Sequence, residues 1–177
     1  MPFPEQENSR VKNEMILHLT QKLRKKLNED ELTATPVPST PHLRWYGNLF
    51  RHRQTQYILF TNAASLYSVV VYGRGVTDTD LLLKSIIPAL REQMEDDGMR
   101  LIYERCVAPH MGSVVLAATN NRSVLGSMND MVNCSKVLLD RFDYAACDLA
   151  GQLNSIPYSA VKYESPKRVM MALPLEE

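Results

Sequence analysis

The sequence predicts an α+β domain: a mixed, mostly antiparallel sheet with a central hairpin, packed against a long amphipathic helix and shorter helices. Three observations predict it. Two β-rich apolar runs, Gln56–Thr61 and Ser65–Tyr72, are separated only by Asn62, Ala63 and Ala64, the spacing of a hairpin with a short loop. Val124, Leu125, Met128, Met131, Val132, Ser135, Leu138, Leu139 and Phe142 trace one face of a long helix, Ser123 to Phe142. The order of elements, β-α-β-β-α-β-α-α, is that of an α+β fold.

The elements follow in order. Met1–Asn13 is polar, lacks the apolar core of a signal peptide, and is expected to be a loosely ordered extension; residues 1–14 stand apart from a single domain, 15–177. Met15–Thr20 reads as a short strand. Gln21–Asn28 reads as a short helix, with Leu23 and Leu27 four apart and Thr20 as N-cap. Glu29–His42 contains Thr35-Pro-Val-Pro-Ser-Thr-Pro41 and reads as a loop. Trp45–Phe50 fits either a strand or a single turn. The hairpin runs are almost continuously apolar or aromatic, which places them centrally. Thr77–Asp80 offers N-caps for a helix that carries Leu83, Ile86, Ile87, Leu90 and Met94 as far as Gly98, and Pro88 is expected to kink or split it. Arg100–Val107 fits strand or helix. Ser113–Ala118 reads as a buried strand, Leu153–Pro157 as a turn, and Ser165-Pro166 as the start of a last helix, Lys167–Leu173.

Composition bounds the function classes. The chain has 177 residues, 45% of them apolar and 23% charged, which is globular composition with enough length to bury a core unaided. No apolar run approaches the length of a membrane span. Cys106, Cys134 and Cys147 are odd in number and widely spaced, which fits reduced thiols and a reducing cytosol rather than a disulfide framework. His18, His42, His52 and His110 lack metal-ligand spacing, so no metal and no cofactor is expected.

Net charge is zero, but its distribution is uneven. Residues 15–77 hold eight Lys or Arg against three acids, and none of those acids lies beyond Glu31. Residues 78–104 hold seven acids against three bases. The basic half is either a footprint for an anionic partner or a surface that the acidic segment covers in the fold.

One stretch carries a candidate site. Val114–Ala118 runs into Thr119-Asn-Asn-Arg-Ser-Val-Leu-Gly-Ser-Met-Asn-Asp130, where a strand ends and a helix begins. Free N–H groups and the helix dipole favour an anion at such a junction, and Arg122 adds a permanent charge. Arg122, Gly126, Asn129 and Asn133 share one stripe opposite the apolar face, and Gly126 costs about 1 kcal/mol against Ala. The candidate ligand-binding residues are therefore Asn120, Asn121, Arg122, Ser123, Asn129 and Asp130, with His18 and Arg51 from the basic half. The same residues also admit a purely structural role, with Asn120 and Asn121 as turn residues, Ser123 as an N-cap and Gly126 as a packing contact. No complete catalytic set and no nucleotide-binding motif is present.

On Leu17–Leu23, Trp45–Leu49, Leu59–Asn62, Ser65–Ser68, the long Thr119–Asp130 motif, Leu153-Asn154 with Pro157, and Tyr163 with Ser165-Pro166, the chain resembles a family of small bacterial proteins known as a domain of unknown function. That resemblance implies a bacterial, cytosolic protein and brings no activity with it. Three functions remain open. The first is a module binding a nucleotide or a nucleic-acid backbone around Arg122. The second is a non-catalytic protein-interaction component of a plasmid, toxin–antitoxin or defence cassette. The third is a hydrolase or nuclease using His18, Arg122 and Asp130, which requires those side chains and His52 to converge in one pocket.

Overall fold

The computed structural model describes residues 14–30, 32 and 40–175. The expected extension Met1–Asn13 and the proline-rich stretch 33–39 lie outside them. Among the described residues five strands form one sheet: β1 (Met15–Leu19), β2 (Arg44–His52), β3 (Thr55–Asn62), β4 (Ser68–Tyr72) and β5 (Val114–Ala118), in the spatial order β4-β3-β2-β1-β5. The helices are α1 (Gln21–Lys26), α2 (Thr79–Asp96), α3 (Arg100–Ile102), α4 (Arg122–Arg141), α5 (Ala146–Leu153) and α6 (Pro166–Ala172).

Alternation along the strands divides the core in two. Leu17, Trp45, Ile58, Phe60, Val69 and Val71 point to one face, where they meet Leu23 of α1 and Leu82, Ile86, Leu90 and Met94 of α2. Tyr46, Phe50, Tyr57, Leu59 and Val70 point to the other, where they meet Val124, Met128 and Met131 of α4 and Leu149 and Leu153 of α5. The result is a sheet between two helical layers, which agrees with the α+β class.

The sheet is mixed, as expected: β1 pairs in parallel with both β2 and β5, while β2–β3 and β3–β4 are antiparallel and together make the longer ladders. One detail corrects the expectation: the β3–β4 hairpin is not central, because β4 is an edge strand and β2 is the middle one. The apolar run Val69-Val-Val71 reflects helices on both faces of β4, α2 on one and α5 on the other, not a central place in the strand order. Likewise β5 is the opposite edge, and only Ala117 in it is fully buried. Trp45–Phe50 lies within β2, which turns into β3 through Arg53 at φ 52°.

Local chemistry explains the helix ends. Asp78 caps α2 by accepting from the Leu81 N–H at 2.8 Å, and Gly98 follows its end at φ 77°. Pro88 does not split α2: Pro88 and Lys84, whose carbonyl loses its hydrogen bond, are both exposed, so water can serve that carbonyl. Arg100–Val107 is helical, with α3 continuing into a wider π turn, Tyr103–Val107. Asn121, not Ser123, caps α4, its Oδ1 accepting from the Ser123 and Val124 N–H groups at 3.0 and 3.1 Å. Ser165 caps α6 as expected. Helix α5 precedes the Leu153–Pro157 turn and has no counterpart in the sequence reading.

Buried asparagines close the structure. In the β3–β4 loop the Asn62 Oδ1 accepts from the Ala64 and Ser65 N–H groups and from the Ser65 hydroxyl. Asn154, after α5, takes both polar groups of the Ser68 backbone: its amide donates to the Ser68 carbonyl and its Oδ1 accepts from the Ser68 N–H, each at 2.8 Å. The three cysteines are free, with Cys106 buried and Cys147 exposed.

Candidate functional site

β1 and β5 lie side by side in parallel, and the chain leaves their C-terminal ends toward opposite faces of the sheet. α1 packs on one face and α4 on the other. Such a divergence opens a crevice beyond the strand ends, where open α/β sheets bind their ligands. The Thr119–Asp130 motif begins at this crevice.

A polar network lies under it. The His18 Nδ1–H donates to the Ala118 carbonyl at 2.7 Å, and the His18 Nε2 accepts from the Arg44 Nε at 3.3 Å. These partners fix the neutral tautomer with its proton on Nδ1. The His18 ring stacks on Tyr46, with centroids 4.5 Å apart. The Arg44 Nη2 donates to the Tyr46 hydroxyl at 3.0 Å and to the Asn120 Oδ1 at 2.7 Å, and the Tyr46 hydroxyl donates to the same oxygen at 2.7 Å. Burial holds the His18 pKa below the usual histidine value. The Ala118 carbonyl opposes that shift and the Arg44 charge adds to it. His18 is thus a buried brace that aims Arg44, and Asn120 is held by its carbonyl oxygen.

The start of α4 is different from the anion cradle that a bare helix terminus would offer. The Asn121 side chain already takes the Ser123 and Val124 N–H groups that an anion would need. Arg122 is exposed and makes no ion pair among the described residues. Gly126 is exposed, and a Cβ there would meet nothing within 4 Å, so the packing role considered for it does not apply. Asn129 and Asp130 are exposed on α4.

From the crevice a groove runs along β2. β1 pairs with β2 only as far as Leu19 opposite Gly47, so among the described residues no strand pairs with Asn48–His52 on that side. α1 stands on one flank of this free edge and α4 on the other. The Thr20 hydroxyl, rather than capping α1, donates to the Asn48 Oδ1 at 3.0 Å and so joins crevice to groove. The groove, about 320 Å³, is lined by Lys22, Asn48, Leu49, Phe50, Arg51, Gln56, Asn129, Val132 and Lys136. A second cleft of about 660 Å³ shares Arg51 and Gln56 with it and adds Lys26, Tyr72 and Arg74. Five cations line the two clefts and no acid does.

The acidic segment does not cover them. Among the described residues no ion pair joins residues 15–77 to residues 78–104. Those of α2 and α3 stay within a helix (Arg91–Glu95, Arg100–Glu104) or reach α6 (Lys167–Asp97). Two side-chain hydrogen bonds cross among the described residues, from the Thr79 hydroxyl to the Glu29 carboxylate and from the Tyr67 hydroxyl to the Asp97 carboxylate at 2.7 Å, and none of these residues lines either cleft.

Of the residues singled out in the sequence, Asn129 and Arg51 line the groove, whereas Asn120, Asn121, Arg122 and Ser123 sit at the crevice. His18 is sealed beneath it. His52 lies at the far end of β2, 3.2 Å from Asp140, and His18, Arg122, Asp130 and His52 share none of the clefts described. In the sequence Arg44 is legible only as part of the basic half and Tyr46 only as a stacking or core aromatic; their network with Asn120, and the Asn48–Thr20 bond, are not legible there, because the partners lie 74 to 76 residues away in the case of Asn120 and 28 in that of Thr20. Lys136 had a visible signal: it continues the Arg122–Gly126–Asn129–Asn133 stripe by one more turn. No group of three or more His, Cys, Asp or Glu among the described residues is placed to hold a metal ion.

No curated protein matches the sequence at a significant level. The family model that does match covers residues 16–169, from the first buried strand to the last helix, and so takes in the crevice and both clefts; on that match the chain belongs to the family Domain of unknown function (DUF6933).

Proposed function

We propose that this protein is a binding module for a phosphodiester backbone, seated in the groove between α1 and α4. The observation that carries the reading is the five-cation lining without a single acid. Lys22, Lys26, Arg51, Arg74 and Lys136 are spread along two joined clefts rather than converging on one point. That suits successive phosphates better than a single one. Asn48, Gln54, Thr55, Gln56 and Asn129 supply neutral hydrogen-bonding groups between them. Arg44 adds positive charge at the crevice, bound there only to neutral partners. Catalysis has no support in this arrangement, since His18 has both ring nitrogens engaged and no carboxylate lines either cleft.

The test is the affinity for a labelled oligonucleotide as a function of salt. Each phosphate neutralised contributes a slope of about 0.7 to 0.9 in log affinity against log salt, so full engagement of five cations gives a slope near 3.5 to 4.5. Arg51→Glu and Lys136→Glu should each lower the slope by about 1 and weaken binding at least ~10-fold. A slope near zero, or charge reversals without effect, would refute the assignment.

A further inference from the structure

We infer that the backbone held in this groove is that of a single-stranded nucleic acid, with one of its bases stacked on Tyr72. The inference rests on the reading of the clefts as a phosphodiester site and adds the kind of strand they take. Tyr72 ends β4 and lines the same cleft as Lys26, Arg51 and Arg74, with 49% of its surface exposed. Its ring is nevertheless held in place. Phe50, Tyr57 and Tyr72 are register partners across β2, β3 and β4. Phe50 stacks on Tyr57 at 5.1 Å, and Tyr57 meets Tyr72 at 5.6 Å. The Tyr72 hydroxyl accepts from the Ala146 N–H at 3.3 Å, which ties the ring to α5. A row of three rings therefore runs out from the core and ends on one that is open to the cleft and already ordered.

An ordered aromatic ring among cations is the combination that binds unpaired bases, the ring taking the base face and the cations the flanking phosphates. A duplex cannot use it, because each internal base is covered on both faces by its neighbours. An acidic peptide could pair with the cations and with the free edge of β2, but it would leave the ring unused. The ring therefore favours the single strand over both.

The experiment is fluorescence anisotropy with oligothymidylate and oligouridylate of about 12 nucleotides, within the footprint of one single-strand-binding module, with a duplex of the same length, and with polyglutamate. Either single strand should bind at least ~10-fold more tightly than the duplex, and the two arms separate DNA from RNA as the source. Tyr72→Ala should weaken single-strand binding by roughly 5- to 150-fold, the range for losing one stacked base. Its salt slope should stay as in the wild type, and Tyr72→Phe should bind as the wild type does. Arg74→Glu, beside the ring, should instead lower the slope. Equal binding of the duplex, or an unchanged affinity in a folded Tyr72→Ala, would overturn the inference and leave the groove reading standing. Failure of every polynucleotide to bind at low salt, or preference for polyglutamate, would overturn both.

Discussion

Replacing Asn154 by alanine should remove a large part of the stability of the fold, and the amount follows from the two hydrogen bonds that end on Ser68. Asn154 is 1% exposed and Ser68 is fully buried, so water cannot stand in for the lost amide. The substitution leaves the Ser68 N–H and carbonyl without the partners they have at 2.8 Å. Each orphaned group costs about 1–3 kcal/mol, so the pair costs about 2–6 kcal/mol, against a typical total of about 5–15 kcal/mol. Asn154→Asp separates the two bonds. Its carboxylate can still accept from the Ser68 N–H, but it meets the Ser68 carbonyl with no proton to donate. Its folded-state pKa is then raised, the protonated acid restores the donor, and the deficit of the variant should shrink as the pH falls. Urea unfolding of the three proteins at neutral and acid pH measures all of this. A loss below about 1 kcal/mol in Asn154→Ala would refute the view that this side chain completes the backbone pairing of β4.

Three further outcomes are expected. Burial lowers the pKa of His18, so below about pH 6.5 the unfolded chain takes up a proton that the folded ring refuses; stability should fall as the pH drops from there toward the folded-state pKa, and His18→Gln should lack this component in urea titrations. Gly47→Ala puts a methyl 2.8 Å from the buried Leu23 Cδ2 and 3.2 Å from the Phe60 ring, which should cost about 1–3 kcal/mol in thermal unfolding and, by displacing α1 with Lys22 and Lys26, also weaken polyanion binding. Arg122→Ala should change stability by less than about 0.5 kcal/mol, because the side chain is exposed and unpaired among the described residues; a loss of several kcal/mol in a melting curve would mean that it is a structural staple.

What the sequence made legible was whatever depends on neighbours a few residues apart. The apolar stripe of α4, the Asn62 hairpin loop and the Ser165 cap are local patterns, and each is found close to where it was read. Strand order is not local. The unbroken apolar run of β4 reports two covered faces and says nothing about which strands lie beside it, so an edge strand was read as a central one. Helix α5, Ala146–Leu153, carries its buried residues Ala146, Leu149, Ala150 and Leu153 at helical spacing, but Ala145 at its start makes no side-chain cap, so no start signal marks it in the sequence. Within the motif from Thr119 to Asp130, Asn121 spends its side chain on the α4 cap and Asn120 on Arg44 and Tyr46, while Asn129 lines the groove, a division that depends on partners far away in the chain. The groove itself joins Lys22, Arg51 and Lys136 from three separate stretches of chain. The Lys22–Lys26 cluster, the acid-free run after Glu31 and the continuation of the α4 stripe to Lys136 pointed toward it.

The most direct test of the groove assignment is a titration of the isotope-labelled protein with a short oligonucleotide at low salt, followed by backbone amide shifts. The account predicts that the perturbed amides cluster at Asn48–Gln56, at Asn129–Lys136 and around Lys22 and Arg74, and that they return to their free positions as salt is raised. Shifts confined to the acidic helix α2 or to α6, or none at all under these conditions, would contradict it.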